Sequence, residues 1–277
     1  MIPFVSFSTI LIIMNIVTSY RGFKDPFFYD RYMLKIDPIL IGKDYKRLLT
    51  SGFLHANWTH LVLNMLALIF FSGYIEGYLG PVKFLLIYFL SLMGGGLLSL
   101  FIHRNHGDYC AIGASGAING IIFASIALYP GMQIGLFLIP FSIPGWLFGL
   151  IYIIISIYGI RSQKDNIGHD AHLGGGLTGV LIAIVLSPPI LVTNTLTLLV
   201  ITLPSIAFIA FIFYKPQALL IDNLFFKNHY NYTVDDRYNV SKLSKQKELD
   251  RLLEKIHKKG INSLSKKEME MLEEYSR

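Results

Sequence analysis

The length of its apolar runs constrains this chain more than any other feature. A helix needs about 20 consecutive apolar residues to cross a bilayer core. Seven stretches approach that length, at roughly 3–20, 59–79, 82–102, 112–129, 145–160, 170–187 and 190–214. Within lipid every backbone N–H and C=O must be bonded inside the protein, so such runs are helices. Composition agrees: 53% of residues are hydrophobic and 15% charged, against about a quarter charged in a soluble domain. These features point to a polytopic protein embedded in a lipid bilayer. The formal net charge of +6 is spread over loops and a tail, which gives no signal for nucleic acid. One cysteine, Cys110, excludes an internal disulfide framework. The first apolar run has no basic segment before it and no small-residue cleavage site after it. It is therefore expected to be a membrane helix and not a removed signal peptide.

Glycine and proline punctuate the runs. Gly80-Pro81 separates the second from the third, and Tyr129-Pro130-Gly131 ends the fourth early. Pro188-Pro189 separates the sixth from the seventh, which contains Pro204. The connection 21–58 is long, aromatic and basic, and the apolar stretch 132–143 reads as a loop against the bundle. Beyond Lys215 the composition changes. A linker over 215–240 and a small helical hairpin over 241–277 are expected. In the hairpin Leu249, Leu252, Leu253 and Ile256 fall at helical spacing, Gly260 marks a stop, and Ser265 with Glu268 forms a capping box. The expected fold is all-α: a polytopic membrane helical bundle with a six-helix core over 1–187 and one further C-terminal helix over 188–214.

Three polar clusters interrupt the apolar runs: "HANWTHLVLN", "GASGAING" and "GHDAHLGGGLTG". They open the second, fourth and sixth helices. Successive spans alternate direction, so all three openings lie on one membrane face. That brings His60, Asn64, Ser115 and His172 to a similar depth. Polar groups inside a membrane are costly and commonly mark function. Small residues surround Ser115, among them Gly113 and Gly116. His172, Gly175 and Gly179 share one helix face, and Gly175-x-x-x-Gly179 permits close backbone approach. A serine hydroxyl becomes a nucleophile when an imidazole takes its proton. Asp170, two residues before His172, does not share its face, so the pattern suggests a Ser–His dyad and not a triad. The Ser115 amide, the Asn64 carboxamide and the His60 ring are natural donors to an oxyanion. A metal held by His169 and His172 with Asp170 or His60 is a minor alternative, and H-E-x-x-H is absent.

At these residues the chain resembles the rhomboid family of intramembrane serine proteases. The family's H-x-x-x-N is His60 to Asn64, its G-x-S-G is Gly113 to Gly116, and its A-H-x-x-G-x-x-x-G is Ala171 to Gly179. The resemblance covers about 1–187 and implies Ser115 as nucleophile, His172 as base and then acid, and His60, Asn64 and the Ser115 amide as oxyanion hole. Arg47 and His55 match structural positions of the first loop, and Glu76 matches a carboxylate near the end of helix two. Lys46 stands where a tryptophan is usual. Asn119 stands where an aromatic often packs on the catalytic imidazole. The family implies no cofactor and no metal. Its substrates are membrane proteins with helix-destabilised transmembrane segments, cut in or near the membrane. A catalytically silent, client-binding relative is the alternative, and a transporter or channel is a second rival. The resemblance also implies a cytoplasmic N-terminus, with the site opening to the outer face of a bacterial inner membrane. Positive charge argues the opposite way, since Arg21, Lys24, Arg31, Lys35, Lys43, Lys46 and Arg47 crowd the first connection.

Overall fold

A computed structural model describes residues 6–135, 141–162, 165 and 167–214, with isolated positions 255, 256, 265 and 269 in the tail. The chain divides into two compact units, residues 1–226 and 227–277. Among the described residues the first unit carries seven main helices: α1 (Phe7–Lys24), α2 (Trp58–Leu79), α3 (Pro81–His103), α4 (Ser115–Leu128), α5 (Gly145–Ser162), α6 (His169–Leu186) and α7 (Thr195–Tyr214). Five of them, α2, α3, α5, α6 and α7, are long and apolar enough to cross a membrane. The 18-residue α1 is more polar, ending in Arg21 and Lys24. The chain is an all-α polytopic membrane bundle.

Local chemistry sets the helix ends. The Ser6 hydroxyl caps α1 by accepting from the Thr9 amide, and the Asn57 side chain caps α2 by accepting from the His60 amide. Pro81 opens α3, where its missing N–H costs nothing. With 14 residues, α4 is too short to span lipid alone. Every residue from Gly116 to Leu128 is buried, so its neighbours carry the contact with lipid. Asn194 donates to the Ala127 carbonyl at 2.8 Å, satisfying an acceptor at the end of α4.

Several expectations need correction. The first helix runs to Lys24, beyond 20, because Asp25 ends it by capping the next short helix, Pro26–Tyr32. The connection that follows is folded. It contains short helices Ile36–Leu40 and Arg47–Thr50 and a two-residue strand, Leu34–Lys35, paired antiparallel with Cys110–Ala111. That pairing delays the start of α4 from 112 to Ser115. The stretch read as a loop at 132–143 contains a second antiparallel pair, Gln133–Gly135 with Ser142–Pro144. The last helix is preceded by a separate turn, Ile190–Thr193. The hairpin expected over 241–277 lies outside the described residues, apart from the isolated positions named above.

Three helices make the seam that positions the polar clusters. α6 packs against both α3 and α4. A Cβ on Gly175 would lie 2.1 Å from the Gly116 carbonyl oxygen, and one on Gly179 would lie 2.2 Å from that of Gly120. On the other side a Cβ on Gly95 of α3 would lie 2.5 Å from the Ala171 carbonyl oxygen. Backbone meets backbone here. Apolar attraction between helices is weak in lipid, so tight packing of small residues drives the association.

Candidate active site

The openings of α2, α4 and α6 converge on one cavity of about 890 Å³, lined among others by His60, Asn64, Gly113, Ser115, Gly116 and His172. Ser115 is the first residue of α4, where backbone amides have no intrahelical partner. Gly113 approaches it with φ +121, a conformation that L side chains rarely adopt. A Cβ at Gly113 would also sit 2.9 Å from the His60 ring. Glycine therefore supplies both the turn and the room for that ring beside Ser115.

The Ser115 hydroxyl lies 2.7 Å from His172 Nε2. Within hydrogen-bond reach, an imidazole with a free Nε2 lone pair can take the hydroxyl proton. His172 Nδ1 lies 2.9 Å from the Tyr152 hydroxyl of α5. Asp170 turns away from the imidazole: its carboxylate accepts from Tyr109 at 3.2 Å and lies 3.3 Å from His103. The His103 and Tyr109 rings stack at 3.5 Å. Burial, with the Asp170 charge, pushes the Tyr109 hydroxyl above its ordinary range, so it remains a donor. His169 pairs with Asp165 at 3.2 Å and meets the His172 ring edge-on at 6.0 Å.

The structure brings together some of the residues read from the sequence and not others. Asn64 is buried on α2 and donates to the His60 carbonyl at 2.8 Å. His60 Nδ1 accepts from the Ala56 amide at 3.4 Å. His55 is wholly buried behind the His60 ring, 5.0 Å away, with Nδ1 on the Ser19 hydroxyl at 2.8 Å. Burial, with the neighbouring His60, pushes the His55 imidazole down to about 3. Arg47 lies in the first connection, reaching the carbonyls of Asp30 and Met33 and the Asp44 carboxylate at 2.8–2.9 Å. Glu76, near the C-terminus of α2, accepts from the Phe7 amide at 2.8 Å and the Ser8 hydroxyl at 2.9 Å, tying down the start of α1. Asn119 donates to the Ser115 carbonyl at 2.9 Å.

Tyr152 is the residue that sequence reasoning missed. It sits in "LIYIIISIYG", a largely apolar run. Gly149, Ser156 and Gly159 lie at helical spacing from Tyr152 and mark its face as the packed one, a signal that could have drawn attention to it, but an aromatic in a membrane helix draws no notice. Its hydroxyl could have been recognised only through its distance to His172.

Taken together, the fold and cavity define a polytopic membrane bundle with a serine–imidazole pair sunk below one face. The family described as "Rhomboid domain" matches residues 42–189, and the chain belongs to the rhomboid family. A second family, described only as a family of unknown function (DUF6576), matches residues 232–277. The chain is 31% identical over 189 residues to "RHOMBOID-like protein 12, mitochondrial" of Arabidopsis thaliana, covering 62% of this chain and 55% of that protein. It is 32% identical over 161 residues to "Rhomboid protein 1, mitochondrial" of Saccharomyces cerevisiae, covering 56% and 45%. A shorter match, 37% over 81 residues, is to "Inactive RHOMBOID-like protein 8" of Arabidopsis thaliana, covering 29% and 22%. The chain spans about half the length of the first two. These relatives give the expected bacterial inner membrane no support, since two of them are named as mitochondrial.

Proposed function

We propose that this protein is an intramembrane serine endopeptidase that cuts other membrane proteins in or beside their transmembrane helices. The 2.7 Å contact between Ser115 Oγ and His172 Nε2, inside a cavity of about 890 Å³, carries the reading. Ser115 Oγ attacks the scissile carbonyl while its proton passes to His172 Nε2. The oxyanion accepts from the Ser115 amide and from the His60 and Asn64 side chains. His172 returns the proton to the leaving amine, which breaks the C–N bond and leaves an acyl-serine. Water then gives its proton to His172 and attacks the ester. The acid product leaves and the Ser115 hydroxyl is restored.

The substrate class follows from backbone chemistry. A peptide bond inside a stable helix is hydrogen-bonded and shielded by its own side chains, so attack needs local unwinding. Segments carrying glycine, proline or polar residues unwind at least cost. The cavity opens on the face where α2, α4 and α6 begin, opposite the start of α1. By this reading cleavage occurs toward that compartment, across the membrane from the N-terminus.

A catalytically silent client-binding protein is the alternative, and a family member named inactive lends it weight. The presence of both Ser115 and His172 argues against it here. The test uses the full chain in liposomes with a generic transmembrane substrate, comparing wild type, Ser115→Ala and His172→Ala. Cleavage by wild type and by neither variant is expected. Cleavage by Ser115→Ala would sink the serine mechanism. An inert wild type whose Ser115 resists a fluorophosphonate would favour the silent protein.

A further inference from the structure

We infer that Tyr152 is the positioning residue of the catalytic histidine: it holds His172 in the one tautomer that can serve as a base, a role carried elsewhere by a carboxylate. The inference rests on the protease reading and goes beyond it, since that reading assigns nothing to α5.

Proton accounting carries the argument. Ser115 can give up its proton only if His172 Nε2 is an unprotonated acceptor. In a neutral imidazole the hydrogen must then sit on Nδ1. That N–H points at the Tyr152 hydroxyl oxygen, 2.9 Å away. The opposite tautomer would place N–H on Nε2 and leave Ser115 without a base. A phenol can accept from Nδ1–H or donate to a bare Nδ1, and it is as acceptor that Tyr152 holds the productive form. When Nε2 gains the serine proton, the same contact becomes a hydrogen bond from a cation, which is stronger than a neutral one.

The surroundings hold the phenol in place. Phe148 stacks near the Tyr152 ring at 5.9 Å and Phe123 meets it edge-on at 6.1 Å. The Asn119 amide N–H donates to the Ser115 carbonyl at 2.9 Å, and its Oδ1 is buried with no hydrogen-bond partner. Asn119 stands at the position where an aromatic would pack on the imidazole. In this chain the ring support comes from α5 instead, tilted at 35° with centroids 6.1 Å apart. Among the described residues Asp170, the carboxylate nearest along the chain, is engaged by Tyr109 and His103 instead.

The experiment is Tyr152→Phe in the full chain, with Phe148→Leu as a control that disturbs the same packing without touching the imidazole bond. Tyr152→Phe is expected to lower kcat and the rate of Ser115 labelling by a fluorophosphonate together, by roughly tenfold to a hundredfold. KM and the thermal midpoint should stay unchanged. Phe148→Leu should shift the thermal midpoint more than the labelling rate. Histidine ¹⁵N shifts, which need no turnover, should show His172 protonated on Nδ1 in wild type and mixed in Tyr152→Phe. Unchanged labelling and an unchanged tautomer in Tyr152→Phe would overturn the inference while leaving the dyad standing. Wild type found protonated on Nε2 would overturn it whatever the activity. Inert, unlabelled wild type with the Nδ1 tautomer intact would overturn the protease reading and not the tautomer assignment.

Discussion

Two walls bound the cavity, and they are built differently. The inner wall is the α3–α4–α6 seam, where glycines bring backbones together and a single added Cβ at Gly175 would overlap the Gly116 carbonyl. The outer wall is the first connection, held within itself and to α1 by polar clasps: Arg47 on two carbonyls and Asp44, Thr50 on the Tyr32 carbonyl, and Ser19 on His55. The difference follows from the solvent. Deep in lipid there is little apolar force between helices, so contact is set by shape, and shape permits one spacing. Near the water boundary polar partners are available and water competes for them, so hydrogen bonds decide position and respond to pH. The seam fixes the distance between Ser115 and His172. The first connection fixes what roofs them.

The sharpest way to break the comparison is steric. Gly175→Val must push α6 from α4 and separate the dyad. We expect at least a hundredfold loss of substrate cleavage and of Ser115 labelling, because small misplacements of reacting groups cost about that much. If Gly175→Val labels at the wild-type rate, the seam does not set the dyad distance. On the outer wall Arg47→Ala leaves two carbonyls without their buried partner. The expected cost is about 2–3 kcal/mol, read as a lower unfolding midpoint in detergent, with the remaining folded fraction still labelled at Ser115.

A titration sharpens the contrast further. His55 is held neutral, down to about 3, whereas its unperturbed imidazole titrates near 6.5. Between those values the unfolded chain binds a proton that the folded chain does not. The stability from His55 is thus complete above about pH 6.5 and is lost progressively as pH falls toward 3. His55→Gln should flatten the fall of the unfolding midpoint over that window. An equally steep fall in the variant would locate the acid sensitivity elsewhere. The smallest effect is expected at Glu76→Gln, which keeps an acceptor for the α1 start and loses only its charge. Its midpoint should drop by about 0.5–1 kcal/mol equivalent, with cleavage unaffected. A large loss of activity there would mean that the far end of α2 is coupled to the site.

Much of the site was legible because a membrane turns helix count into depth. The openings of α2, α4 and α6 follow from parity alone, and Ser115, His172, His60 and Asn64 do line one cavity. The glycine spacing of α6 indicated its packing face, since only small residues let backbones meet. The first connection was not legible. Its strand pairs with Cys110–Ala111 across more than seventy residues, and two-residue strands carry no periodic signal. The pair formed by Gln133–Gly135 and Ser142–Pro144 was missed for the same reason.

The sequence by itself determined that the chain is a membrane bundle, that its second, fourth and sixth helices open on one face, and which polar residues share that face. Apolar length and alternation of direction admit few other arrangements. Only the tertiary structure decided which atom of His172 faces Ser115 and what stands on the opposite nitrogen. Tyr152 shares a helix face with Gly149, Ser156 and Gly159, which marks that face as packed but not which side chain its hydroxyl meets. Its partner is 20 residues away, and that meeting depends on how α5 is rotated, which packing sets and periodicity does not.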